Sequence, residues 1–164
     1  MVAEVTPLSI NSDGNMRVAF VPTGSNPLSV AILGGATTKL LTYSLTPDGY
    51  NRALSENSID DPRLSLKQTF SRPGTFTESL ELTYVYGDTN DVAKIALVEG
   101  TAGFIVERRS ILNATDWAVG QKVDVLSILA GKQRKNAPAA NGIQTITQSM
   151  YLTSVTQIDA ALVA

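Results

Sequence analysis

The sequence predicts a mainly antiparallel β fold, a sandwich or open barrel with one short flanking helix, and three observations predict it. From Glu78 to Tyr86 apolar and polar residues alternate: Leu80, Leu82, Tyr84 and Tyr86 share one face, Ser79, Glu81 and Thr83 the other. A period of two is the mark of a half-buried strand. From Gly120 to Leu152 two runs rich in β-branched residues, Lys122–Leu129 and Ile143–Leu152, read as the arms of one long hairpin. The one credible helix falls around residues 89–99. There Asp88, Thr89, Asn90 and Asp91 offer capping side chains, Val92, Ile95 and Ala96 fall on one stripe, and Gly100 supplies the stop.

The other elements follow in chain order. Residues 1–15, with Pro7 and the turn-rich Asn11–Asn15, read as an N-terminal arm. Met16–Val21 is a strand stopped by Pro22. Pro27–Leu33 fits a helical turn opened at Asn26 or a short buried strand, because periodicity does not separate short apolar runs. Leu41, Tyr43 and Leu45 suggest a strand over Thr37–Leu45, closed by the turn signal Thr46-Pro47-Asp48-Gly49. No period holds from Tyr50 to Pro62, so residues 46–62 read as a long acidic loop carrying Glu56, Asp60 and Asp61. Alternation returns over Leu64–Phe70, and Arg72-Pro73-Gly74 reads as the next turn. Phe104–Arg109 is a strand, and Asn113–Gly120 a loop holding the only tryptophan, Trp117, which is expected in the core. An apolar tail runs from Ile158 to Ala164.

The hairpin of residues 120–152 has an oversized tip. Residues 130–142 carry Lys132, Arg134 and Lys135 and no carboxylate. That exceeds the roughly two to five residues of an ordinary hairpin loop. Three cations without interleaved aromatics make at most a weak, salt-sensitive nucleic-acid contact, and a solvated loop is the simpler reading of the stretch alone.

Length and composition bound the rest. A chain of 164 residues suffices for one domain, 1–164, and 43% hydrophobic against 17% charged residues argues against global disorder. A net charge of −2 creates no strong field for nucleic acid or anionic lipid. There is no apolar run long enough for a membrane helix and no signal-peptide pattern, which points to a protein made in cytoplasm. With no cysteine and no histidine, disulfides, thiolate or imidazole metal sites and Ser-His-Asp or Cys-His catalysis are all excluded. Asp60-Asp61 lacks the ligand spacing of a calcium loop. Arg108 and Arg109 point to opposite faces of their strand, and neither Gly34-Gly35 nor Gly100–Gly103 has the setting of a phosphate loop. No cofactor is expected. A carboxylate-based hydrolase is formally open but has no motif behind it.

Several stretches carry a resemblance. Phe20-Val21-Pro22, Asn26–Ala31, Leu45–Gly49, Gly100–Arg109, Val119–Val125 and Gln133–Asn141 occur in the order found in siphophage major tail proteins. Together they resemble the tail-tube subunits of long-tailed phages that infect actinobacteria, from about Phe20 onward. The resemblance implies a β-sandwich with a flanking helix, assembled as six-membered rings stacked into a hollow tube. It implies a virion protein put together in the host cytoplasm, with itself, a tape-measure protein and tail terminator or baseplate proteins as partners, and with double-stranded DNA passing through. On that reading Lys132, Arg134 and Lys135 are expected to meet Glu56, Asp60 or Asp61 of an adjacent subunit. Thr145, Thr147 and Ser149, spaced by two, are expected to line the channel, with Ile146 and Met150 packed inside and Gln148 as the misfit on that inner face. The reading from another class is a stand-alone β-sandwich recognition module of adhesin or carbohydrate-binding type.

The absence of an acid–base constellation predicts no turnover of hydrolase substrates with or without divalent metal. A panel assay checks this, and saturable turnover lost on Asp60→Ala or Asp61→Ala would contradict it.

Overall fold

The computed structural model describes residues 5–164. Residues 1–4 of the expected arm lie outside the described residues; residues 5–11 are exposed and outside any helix or strand. Nine strands and two short helices follow: β1 Met16–Pro22, α1 Val30–Leu33, β2 Lys39–Leu40, β3 Leu45–Asp61, β4 Phe70–Val85, α2 Val92–Ala96, β5 Ala102–Arg109, β6 Lys122–Ala130, β7 Arg134–Lys135, β8 Thr145–Leu152 and β9 Gln157–Ala161. The strands form one antiparallel sheet in the order β2-β1-β5-β6-β8-β4-β3, with β7 added to β8 and β9 to β6. The sheet does not close, so the expected open sandwich of antiparallel strands is what forms.

The sheet folds over so that β1, β5 and β6 face β4 and β8. Between them lies the main core, in which Phe20, Leu82, Tyr84, Ile105, Leu126, Ile128 and Ile146 are buried. A second cluster covers the outer face of β1, β5 and β6 with Leu33 of α1, Trp117 and Leu162. Strands β1, β5 and β6 are thus buried on both faces, and each splits its side chains between the clusters: Val18 and Phe20 inward, Ala19 and Val21 outward. Gly103 sits opposite Pro22, where a Cβ would lie 2.5 Å from both the Phe20 ring and the Val21 carbonyl, so only glycine fits.

Several expectations are corrected. The stretch 46–62 is not a loop: most of it lies in the 17-residue strand β3, paired with β4 along its length. It has no period because most of it is exposed on both faces, and alternation exists only where one face is buried. Both turn signals become bulges. Thr46–Gly49 is extra chain between the pairs Leu45–Tyr84 and Tyr50–Leu82, and Gly74 and Thr75 face Asn57 between Glu56–Phe76 and Ser58–Pro73. The reversal itself falls between Asp61 and Phe70, so Leu64–Thr69, expected as a strand, is the exposed hairpin tip. The strand expected over 37–45 shrinks to β2, after which Leu41 turns into the core. Pro27–Leu33 resolves as the helical turn α1, so two helices are present where one was expected. The other, α2, is shorter than 89–99. The basic tip is not all loop, since Arg134 and Lys135 pair with Thr147 and Ile146 of β8.

Gln148, the apparent misfit, is 1% exposed. Its Oε1 accepts from the Tyr84 hydroxyl at 2.7 Å, and its Nε2 donates to the carbonyls of Leu97 at 2.8 Å and Gly131 at 2.7 Å. The amide ties β8 to β4, to the end of α2 and to the β6–β7 kink. Burial raises the Tyr84 phenol pKa. Gln148→Leu is therefore expected to destabilise by about 3 kcal/mol despite being more apolar, because the Tyr84 hydroxyl and the Gly131 carbonyl lose this partner and the Leu97 carbonyl keeps only Gln133. A urea midpoint equal to that of the parent would contradict this.

Candidate functional site

The inner faces of the sheet separate at one end of the sandwich, where side chains from four strands meet. Arg52 of β3 and Glu78 of β4 face Glu107 at the end of β5 and Asp124 at the start of β6. All four have inward parity on their strands, so the same alternation that fills the core delivers them here. Arg52 Nε donates to Glu78 Oε1 at 2.5 Å, and Nη1 to Asp124 Oδ2 at 2.7 Å and, more weakly, to Glu107 Oε1 at 3.4 Å. Arg109 Nε donates to the same Glu107 oxygen at 2.8 Å. Thr156 Oγ1 donates to Glu78 Oε2 at 2.6 Å and the Asp159 amide to Asp124 Oδ1 at 2.9 Å, which ties down the segment leading into β9. Burial disfavours the Arg52 charge, but the bonds to Asp124 and Glu78 outweigh it and hold the guanidinium pKa above its ordinary range. Tyr50 Oη and Glu107 Oε2 lie buried without a hydrogen-bond partner among the described residues. Burial first, then the Glu107 charge, pushes the Tyr50 phenol far up.

Above this network opens a groove of about 830 Å³. Its walls are Leu54 and Phe76 from the β3–β4 hairpin and Val155 and Ile158 from the segment around β9. All four are more than half exposed. Glu56 and Asp159 stand at its rim and take part in no ion pair among the described residues.

On the outer face of β1 and β5, Arg17 and Arg108 are directly opposite each other and both stack on Trp117, with guanidinium carbons 5.1 and 4.8 Å from the ring centroid. Arg108 is fully buried and has no carboxylate partner among the described residues. It donates instead to the carbonyls of Leu112, Thr115 and Asp116 and to Gln121 Oε1, which fixes the loop around the tryptophan. Burial, then the Arg17 charge, lowers its pKa. Arg109 points to the other face, as the strand period requires.

The structure keeps the expected interface residues apart within one chain. Glu56, Asp60 and Asp61 lie along the outer half of β3, and Lys132, Arg134 and Lys135 beside β8. Asp61 is taken by Arg63, both of its oxygens accepting at 2.8 Å, and that bond lowers its pKa. Lys135 stacks on Tyr86 at 5.3 Å, with Lys94 also against the ring at 5.4 Å. Lys132 and Arg134 are exposed and share a shallow depression with Glu81, Thr147 and Ser149. Thr145, Thr147 and Ser149 do share one face of β8, opposite Val85, Thr83 and Glu81 of β4. Ser149 is exposed, Thr145 half-buried, and Thr147 is covered by β7, its hydroxyl bonded to Thr83 and Asn136. Ile146, Gln148 and Met150 are buried on the other face.

The inward network was not found from sequence. Its members are up to 72 residues apart, and the only available signal was Arg52 and Glu78 falling on positions whose neighbours Tyr50 and Leu80 are apolar.

The described residues thus form an open antiparallel sandwich with a projecting hairpin and unpaired strand edges. A family profile described as "Phage tail tube protein" matches residues 4–164, and the chain belongs to that family, whose members are virion components. No curated protein matches it. Among solved structures it is similar to a chain of the anti-feeding prophage baseplate, determined by cryo-electron microscopy with six-fold symmetrisation. That match has a TM-score of 0.58 and 8% identity, and covers 93% of this chain and 97% of the other, a likeness of fold.

Replacing Arg52 by Met is expected to cost about 3 kcal/mol, since it leaves Glu78 and Asp124 mostly buried without a cation and Glu107 with Arg109 alone. Adding Glu107→Gln should recover part of that loss. Denaturation midpoints measure both, and a single variant as stable as the parent would show that the network does not hold the two halves together.

Proposed function

We propose that this chain is a self-assembling tail-tube subunit, forming stacked six-membered rings whose channel conducts phage DNA into the host. The observation that carries the reading is the free edge of β3. This 17-residue strand ends the sheet and is paired on one side only. Such an edge is a template for adding a strand from another chain, and a monomer that leaves it bare courts unspecific pairing. A copy joined at that edge extends the sheet, and repetition of one heterologous contact closes a ring when its rotation divides a full turn. The family and the six-fold symmetry of the similar baseplate structure support six copies.

On this reading the outer face of β3, β4 and β8 turns towards the axis. Ser79, Glu81 and Thr83 lie there beside Thr145, Thr147 and Ser149. Small hydroxyls with a carboxylate offer DNA phosphates few grips, and Glu81 offsets the nearby Lys132 and Arg134. Within a ring, Lys132 and Arg134 are the basic-tip cations left to meet a neighbour's Asp60, because Lys135 and Asp61 already have partners in their own chain. A tape-measure protein before DNA release, and terminator and baseplate proteins at the tube ends, are the partners this function requires. Assembly takes place in the host cytoplasm.

Electron microscopy of the purified protein at rising concentration tests the reading. Rings and tubes are expected, with Thr145 and Ser149 on the channel wall in a reconstruction. A monomer at every concentration would favour a stand-alone recognition module, and tubes with that face outside would overturn the channel assignment.

A further inference from the structure

We infer that the groove above Arg52 is a socket for the hairpin tip of a second copy of this chain; the inference rests on the self-assembly reading and names the contact. The socket is apolar and acidic. Leu54, Phe76, Val155 and Ile158 form its exposed walls, and its carboxylates outnumber its cations five to three. The Arg52 network consumes five of those charges internally, which among the described residues leaves Glu56 and Asp159 free against the one cation of Lys122.

The hairpin tip has the complementary chemistry. Leu64 is 99% exposed, and Leu66 and Phe70 are more than half exposed, touching none of the core. Around them stand Arg63, Lys67 and Arg72, of which Arg63 and Arg72 share the single carboxylate of Asp61 while Lys67 has no ion pair among the described residues. A cluster of large exposed apolar side chains rimmed by charge is a contact surface looking for cover.

Geometry makes the contact intermolecular. Glu56 pairs with Phe76 beside the groove and Asp61 with Phe70 at the base of the tip. Five strand residues at about 3.3 Å each carry the tip roughly 17 Å beyond its own socket. The continuous β3–β4 ladder, bulged but not broken, keeps it from folding back. Each chain therefore presents one tip and one socket at different places. That is a heterologous contact, which propagates from copy to copy rather than stopping at a dimer. The aliphatic knob supplies burial, and the pairing of Lys67 with Glu56 or Asp159 sets its register.

Because the chain has no cysteine, engineered thiols report this contact without background. The full-length protein carrying Leu64→Cys and Val155→Cys, oxidised under assembly conditions, should give a ladder of covalent oligomers. Each single variant should give no ladder, and a mixture of the two should stop at dimers. Leu66→Cys with Ile158→Cys is a second, independent pair should the first perturb folding. Lys67→Glu should raise the concentration needed for assembly about fivefold, and Glu56→Lys in the same chain should restore it. Tubes that form without a ladder from either pair overturn the socket and leave self-assembly standing. A disulfide within one chain overturns the intermolecular contact. A parent protein that never assembles overturns the reading on which the inference rests.

Discussion

The Arg52 guanidinium is the constraint on which the open end of the sandwich depends. Core packing alone holds β1, β5 and β6 against β4 and β8 through the middle of the molecule, but the apolar residues run out where the sheet faces diverge. There one cation binds carboxylates from β4, β5 and β6 and so fixes the angle at which the β3–β4 hairpin leaves the body. An apolar plug could close the same gap with less desolvation cost. A charge network instead demands a particular geometry, and the hairpin it aims is the element whose free edge and tip the proposed assembly uses.

A second arginine does the corresponding work outside. Arg108 has no carboxylate partner among the described residues and is instead surrounded by backbone carbonyls and the Trp117 ring, so the loop after β5 is held by hydrogen bonds to one buried guanidinium. Arg17 reaches the same Thr115 carbonyl from the neighbouring strand. Two like charges directly opposite on adjacent strands would ordinarily repel. The aromatic face and the shared carbonyl offset that repulsion. Both arginines convert irregular ends into fixed ones, which suits a subunit that must present the same surfaces in every copy.

How far the fold could be read from the sequence follows burial. Strand β4 was legible where Leu80, Leu82 and Tyr84 are buried, and illegible beyond Glu78, where neither face is covered and no alternation is selected. The same loss hid most of β3 and turned 46–62 into an apparent loop. Thr46–Gly49 and Arg72–Gly74 carry real turn chemistry, but strand pairing on both sides absorbed it as bulges. Ile146 and Met150 of β8 are buried as their spacing predicts, and Gln148 was a misfit only because its three partners, in β4, at the end of α2 and in the β6–β7 kink, are brought together by the fold. The groove and its charge network are wholly tertiary. The basic tip drew attention for its composition, yet Lys135 is spent on Tyr86, while the exposed Leu64 and Lys67 lay in what read as an ordinary strand.

Hydrogen exchange along β3, compared between dispersed and assembled protein, tests the central claim most directly, since the account makes this strand's bare edge the seam between copies. Amides from Asn51 to Asp61 that point away from β4 should exchange rapidly in the dispersed chain and become protected on assembly, as ladder hydrogen bonds form with a neighbour. Assemblies in which those amides exchange as fast as in the free chain, with protection appearing elsewhere, would contradict it.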